Sequence, residues 1–279
     1  MSIDTDPTRT AEVKAKDVGI RHAAIVTLAR EEGRVSVDGL ASHFGVTPQT
    51  IRKDLNELAA QRKVTRVHGG AIPASGTVNV DYDKRRLIAM DQKAQIGVEA
   101  AALIPAEASI FLSIGTTSEA VSAALADHPG LLVVTNNLNV ASRLRPSAQH
   151  EVIVAGGVVR PTDGGIVGAS TADFLRQFRV DYALVGTSAI DADGGIYDFD
   201  LREVNVLRAI IENARAAVLV ADSTKFARRA PIRVAGLADF DVFVTDEAPP
   251  SIAQLCRASR CELIQTKAGH EREAPTGCA

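Results

Sequence analysis

Seven short apolar runs dominate the chain beyond residue 108: SIFLS at 109–113, LLVVT at 131–135, EVIVA at 151–155, DYALVG at 181–186, AAVLVA at 216–221, DVFVT at 241–245 and CELI at 261–264. Each is rich in Val, Ile or Leu and reads as a strand buried on both faces. Helical stretches at 93–103, 117–126, 137–144, 171–178 and 201–214 lie before or between them. Strands of this kind alternating with helices form βαβ units, which lay the strands parallel and put helices on both sides of the sheet. The expected class is α/β, with a doubly wound, mainly parallel C-terminal domain.

Residues 36–70, SVDGLASHFGVTPQTIRKDLNELAAQRKVTRVHGG, follow a different pattern. Ser36 caps a helix over 37–44 in which Leu40, Ala41 and Phe44 face inward, and Gly45 supplies a turn. Thr47 caps a second helix, and Pro48 takes its first position, where no N–H is needed. Ile51, Leu55 and Leu58 make one apolar stripe. The rest of that helix offers Gln49, Thr50, Arg52, Lys53 and Asn56, and in a major groove amides pair with adenine and cations with guanine. Arg62, Lys63, Arg66 and His68 surround Val64 and Val67 as a short basic hairpin suited to phosphates. Residues 47–70 carry five cations and two anions in a chain whose net charge is −3. A basic patch on an acidic chain marks where nucleic acid touches. The residues expected to meet DNA are Ser36, Thr47, Gln49, Thr50, Arg52, Lys53, Asn56, Arg62, Arg66 and His68. The competing reading is a helical hairpin with a solvated charged face. The coincidence of caps, turn, stripes and basic hairpin favours a winged helix-turn-helix.

Composition narrows the remaining classes. No apolar run approaches the ~20 residues of a membrane span. The first residues, MSIDTDPTRTAEVKAKD, contain no apolar core, so a signal peptide is not expected and the cytoplasm is. Cys256, Cys261 and Cys278 are odd in number, fit no zinc spacing and read as inert thiols. Neither a G-x-G-x-x-G nor a G-x-x-x-x-G-K-[ST] motif is present, which disfavours a dinucleotide or a nucleoside triphosphate. No metal and no cofactor are expected. The expected organisation is a leader over 1–20, the winged helix-turn-helix over 21–72, a linker over 73–92, a ligand-sensing domain over 93–267 and a tail over 268–279.

Ligands of open α/β sheets bind beyond the carboxyl ends of the strands. After the first run, Gly115, Thr116, Thr117 and Ser118 open a helix, and close backbone approach, free N–H groups and hydroxyls suit a phosphate. Asn136 follows the second run. Gly156 and Gly157, with Arg160 nearby, follow the third; Gly186 ends the fourth and Lys225 follows the fifth. Asp200 and Glu203, with Asp198, are candidates for sugar or polyol hydroxyls. Two plainer readings stand beside these: Lys225 as a surface lysine, and the acids as a capping loop before Leu201.

These motifs carry a resemblance. TPQTIRKDLNELAAQRKVTRVHGGA at 47–71 resembles the signature of the DeoR family of bacterial repressors, and the family pattern runs from about Arg21 to Thr266. VVTNNLNVA at 133–141, RPTDGGIVG at 160–168 and FDLREVNVLRAIIENA at 199–214 resemble the branch concerned with glycerol metabolism, while Tyr197-Asp198 departs from it. The resemblance implies a transcriptional repressor rather than an enzyme. Its sensor would be ribose-5-phosphate isomerase-like, similar also to the glucosamine-6-phosphate deaminase fold. It implies that Gly115 to Ser118 hold phosphate, with Asn136, Gly156, Gly157, Gly186, Asp200, Glu203 and Lys225 around the ligand. The expected partners are double-stranded operator DNA and a small phosphorylated metabolite, glycerol 3-phosphate first. Symmetric operators add a second copy, as a homodimer or homotetramer. The alternatives are a family member sensing another sugar phosphate and a sugar-phosphate isomerase-like enzyme with an accessory domain.

Overall fold

The computed structural model describes residues 18–32, 34–61, 63–73, 79 and 81–266. The chain divides into two units, Met1–Gly76 and Thr77–Ala279.

The first unit contains α1 (Val18–Glu32), β1 (Val35–Ser36), α2 (Val37–Phe44), α3 (Pro48–Ala60), β2 (Val64–Val67) and β3 (Gly70–Pro73). The Ser36 hydroxyl accepts from Gly39 N at 3.0 Å to start α2, and Gly45 at φ 62° ends it. The Thr47 hydroxyl accepts from Thr50 N at 3.1 Å to start α3. Ile25, Ala29, Ile51, Leu55 and Leu58 are fully buried and form the centre of the core. β2 and β3 pair antiparallel, and β1 joins the far side of β3. A Cβ on Gly70 would lie 2.0 Å from the Val35 carbonyl oxygen, so only glycine lets β1 close the wing. α1 begins at Val18, inside the stretch expected to be leader. Residues 1–17, Arg62 and the tail 268–279 with Cys278 lie outside the described residues.

The second unit opens with α4 (Tyr82–Leu87) and α5 (Met90–Ala102). Both begin within the expected linker over 73–92, because side chains anchor that segment. The Tyr82 hydroxyl donates to Glu119 Oε2 at 2.8 Å, and Lys93 Nζ donates to the Arg85 and Ile88 carbonyls at 2.5 and 2.6 Å. Then follow β4 (Ala108–Leu112), α6 (Thr116–Ala124), β5 (Leu131–Thr135), α7 (Leu138–Leu144) and β6 (His150–Val154). Next come a hairpin of β7 (Val158–Val159) and β8 (Ile166–Val167), α8 (Ala169–Leu175), β9 (Val180–Val185), β10 (Ala189–Ile190) and β11 (Gly195–Asp198). The last described elements are α9 (Leu201–Glu212), β12 (Ala214–Val220), β13 (Ile232–Gly236), β14 (Val242–Thr245), α10 (Pro250–Ser259) and β15 (Glu262–Gln265), with a 3-10 turn at Ser223–Ala227.

All seven apolar runs enter one parallel sheet of order β15-β14-β12-β9-β4-β5-β6. Alternate residues serve opposite faces. Ile110, Leu112, Leu184, Val218 and Val220 pack with Ile96, Val121 and Val140 of α5, α6 and α7. Phe111, Ala183, Val185, Ala217 and Leu219 pack with Leu175, Val204 and Ile252 of α8, α9 and α10. The chain winds outward from β4 to β6, then returns to lay β9 against the other edge of β4. The β4–β9 junction is therefore the topological switch point, where ligands of open α/β sheets bind.

Candidate functional site

On the first unit, burying Ile51, Leu55 and Leu58 turns the opposite side of α3 outward. Gln49, Arg52, Lys53 and Asn56 are exposed, as are Ser36, Thr47 and His68; Thr50 is half-buried. The Ser36 and Thr47 hydroxyls are engaged as helix caps. Arg66 is half-buried and donates to the Gly70 carbonyl at 3.1 Å. One anion counted in the basic stretch faces inward. Asp54 receives Arg21 Nε at 2.6 Å and Nη2 at 3.0 Å, and both side chains are 4% exposed. Burial raises the Asp54 carboxyl, but the hydrogen bonds from Arg21 and His22 outweigh it and hold it below its ordinary value. The outward face is thus more basic than the bare sequence count. Arg34 adds an exposed cation, its Nη2 donating to the His68 carbonyl of the wing at 3.0 Å.

In the second unit a pocket opens at the switch point. Gly115, Thr116 and Thr117 from the start of α6 form one side, and Gly186, Thr187 and Ser188 after β9 form another. Gly115 stands at φ 137°, a conformation glycine tolerates, and no side chain caps the helix. The first-turn N–H groups of α6 have no partner within the helix and point where an anion is stabilised. Lys225 enters from the 3-10 turn after β12, Asp198 from the end of β11 and Glu203 from the first turn of α9. Burial brings the Lys225 ammonium down to about 8; Arg228, Lys93 and Arg85 push the same way against Asp222. Burial and the charge on Asp198 push the Glu203 carboxyl up to about 8, against the pull of Arg160.

Other candidate residues serve the frame of this pocket. Arg160 is paired with Asp163 at 2.7 Å, Glu203 at 2.7 Å and Asp200 at 3.2 Å, so it holds carboxylates rather than an anion. Asp200 caps α9 and receives both Arg202 and Arg160. Asn136 is buried and its amide donates to the Ile166 carbonyl at 2.9 Å, binding β5 to the hairpin. A Cβ on Gly157 would meet Thr171 Oγ1 at 2.1 Å, so glycine at 157 admits α8, while the Gly156 carbonyl accepts from that hydroxyl. Ser118 is fully buried beside Ser113 Oγ at 3.2 Å, and Ser113 Oγ also accepts from Gly186 N at 3.0 Å. That chain of bonds ties the two loops at the switch point. Arg160, Asp200, Asn136, Gly156, Gly157 and Ser118 are not among the residues that line this pocket. Thr187 and Ser188 follow Gly186 into the pocket, while the reading from strand ends omits Asn79 and Arg85, which precede the first strand of this sheet yet line the pocket.

An exposed basic recognition helix with its wing, together with an α/β unit holding an anion-suited pocket at its switch point, defines a DNA-binding regulator that responds to a small molecule. Comparison with known proteins agrees. The DeoR-like helix-turn-helix domain matches residues 21–77, and the DeoR C terminal sensor domain matches residues 88–247. The chain belongs to the DeoR family and is a DNA-binding transcriptional repressor. It is 45% identical to the glycerol-3-phosphate regulon repressor of Escherichia coli (strain K12) over 87% of this chain and 97% of that one. The repressor of the same name from Haemophilus influenzae is 44% identical over 88% of this chain and 96% of its own length. Ribose 5-phosphate isomerase A from Neisseria gonorrhoeae overlaps 49% of this chain and 53% of its own at 14% identity and TM-score 0.36. Among the described residues no helix is long and apolar enough to cross a membrane, and no cluster of His, Cys, Asp and Glu could hold a metal ion.

Proposed function

We propose that glycerol 3-phosphate is the effector that releases this repressor from its operator, and that the protein acts in the cytoplasm as a homo-oligomer. The observation that carries the effector is the mixed chemistry of the pocket lining. A helix N-terminus, threonine hydroxyls and Lys225 line it together with the carboxyl groups of Asp198 and Glu203. The first set suits a phosphate dianion and the second accepts from polyol hydroxyls. The names of the two relatives agree with this reading.

On the DNA side, Gln49, Arg52, Lys53 and Asn56 read base edges, while Thr47, Arg66 and His68 meet phosphates. The effector binds the DNA-incompetent conformation more tightly and shifts the population towards it. A shift from 1:99 to 99:1 takes ~5.5 kcal/mol of differential affinity. The test is anisotropy of labelled operator held by the full chain, titrated with glycerol 3-phosphate, glycerol, fructose 1-phosphate and deoxyribose 5-phosphate. Release at the lowest concentration of glycerol 3-phosphate is expected, and Thr116→Val should remove the response while keeping operator binding. Tighter response to a sugar phosphate would reassign the effector, and no response to any would remove the phosphate assignment.

A further inference from the structure

Arg85 carries the inference. It lies on α4, just beyond the point where the chain leaves the first unit at Gly76 and enters the second. Its side chain is a wall of the switch-point pocket, although α4 precedes every strand of the sheet. Asn79, from the same entry segment, is another wall residue.

One partner of Arg85, Asp163, is easily shared. Arg85 Nη2 reaches Asp163 Oδ2 at 3.3 Å. The same carboxylate takes Arg160 Nε at 2.9 Å, Arg160 Nη2 at 2.7 Å and Gly165 N at 3.2 Å. Asp163 therefore stays fully hydrogen-bonded if Arg85 turns away. The cations nearby repel one another. Burial lowers Lys225, Lys93 and Arg228, and the charge of Arg85 depresses each of them further. Arg228 is held on the entry segment, its Nη2 donating to Asn79 Oδ1 at 2.6 Å, and Asn79 Nδ2 donates to Ser188 Oγ at 3.4 Å. A dianion in the pocket relieves this repulsion, and a guanidinium is well shaped to grip a phosphate through two parallel N–H groups.

We propose that Arg85 is a ligand of the effector's phosphate, exchanging Asp163 for it, and that this grip on the entry segment passes occupancy of the pocket to the DNA-binding unit. The inference rests on a phosphorylated effector and adds the residue that joins recognition to release. Strand-end residues such as Thr116 and Lys225 hold the ligand within the sheet. Arg85 is carried on the arm that leads to the first unit, so its change of partner moves that arm.

The experiment uses the full chain with Arg85→Gln and Arg85→Lys. Glycerol 3-phosphate binding is followed by calorimetry, operator release by anisotropy, and folding by the ligand-free melting temperature. Losing a charged hydrogen-bond partner should weaken binding roughly 10- to 100-fold in Arg85→Gln. Arg85→Lys should recover part of the loss, with ligand-free melting and operator binding as in the parent protein. Release should require correspondingly more effector. If the parent protein binds glycerol 3-phosphate and Arg85→Gln binds it equally well, Arg85 is not a ligand and the inference falls, while the effector assignment stands. Unchanged binding with lost release would make Arg85 a relay only and equally overturn it. If Arg85→Gln melts early, Arg85→Lys decides: binding as weak as in the glutamine variant despite parental melting refutes a charge contact. A parent protein that binds no phosphorylated polyol removes the effector assignment itself, and the inference with it.

Discussion

Asp54→Ala should strongly destabilise the DNA-binding unit while leaving the sensor unit unaffected. Asp54 lies on the inner side of α3, between Ile51 and Leu55, and its two oxygens take the Arg21 guanidinium at 2.6 and 3.0 Å. Both side chains are 4% exposed, so the variant leaves a buried guanidinium without its carboxylate. Removing one partner of such a pair costs about 3–5 kcal/mol. At ~0.05–0.15 kcal/mol per residue a unit of this size holds only ~3–8 kcal/mol. The loss takes most of it. Scanning calorimetry of the full chain should show the transition of the first unit lowered by more than 10 °C, at ~4–8 °C per kcal/mol for a small unit. The transition of the sensor unit should not move. Replacing both partners, Arg21→Met with Asp54→Leu, should restore the transition to within ~1 kcal/mol of the parent, because a well-packed apolar pair avoids the desolvation of two ions. A shift below ~2 °C in Asp54→Ala, or a double variant no better than the single one, would refute the claim that this pair sets α3 on α1. The pH dependence gives an independent check. The folded carboxyl lies below its unfolded value of about 3.9, so its contribution is fully present above that pH and is lost as pH falls through the folded value. The parent unit should therefore lose stability below about pH 4 more steeply than the double variant.

Three further outcomes are expected. Gly157→Ala should destabilise the sensor unit by about 3 kcal/mol or more in urea, since the new Cβ meets Thr171 Oγ1 at 2.1 Å and φ is 152°; a loss below 1 kcal/mol would mean that the hairpin yields freely. Lys53→Ala and Gln49→Ala should each lower the preference for operator over random DNA by ~1–3 kcal/mol, and an equal loss on both DNAs would make them backbone contacts. Effector affinity should fall between pH 7 and 9, because Lys225 loses its proton and Glu203 gains its charge near 8; Lys225→Met should flatten that profile, and an unchanged profile would separate Lys225 from the anion.

The sequence by itself determined every element whose cause is local. Thr47 and Pro48 start α3, Ser36 and Gly45 bound α2, and the apolar runs become the seven strands, because caps, turns and two-sided burial are decided within a few neighbouring residues. The outward set Gln49, Arg52, Lys53 and Asn56 follows directly, since helical period alone separates it from Ile51, Leu55 and Leu58. The pocket was legible at Gly115, Thr116, Thr117, Gly186, Glu203 and Lys225, all at or just beyond strand and helix ends. Tertiary structure decided the rest. Arg160 looks like a phosphate ligand until Asp163, Asp200 and Glu203 are seen around it. Gly157 looks like part of a cradle until Thr171 of α8 is seen against it. Asp54 looks like a surface anion until Arg21, 33 residues earlier, closes on it. Arg85 and Asn79 carry no motif at all. Only the return of the entry segment towards the β4–β9 junction brings them to the pocket, because contacts between distant residues depend on how the whole sheet is wound and leave no trace in local spacing.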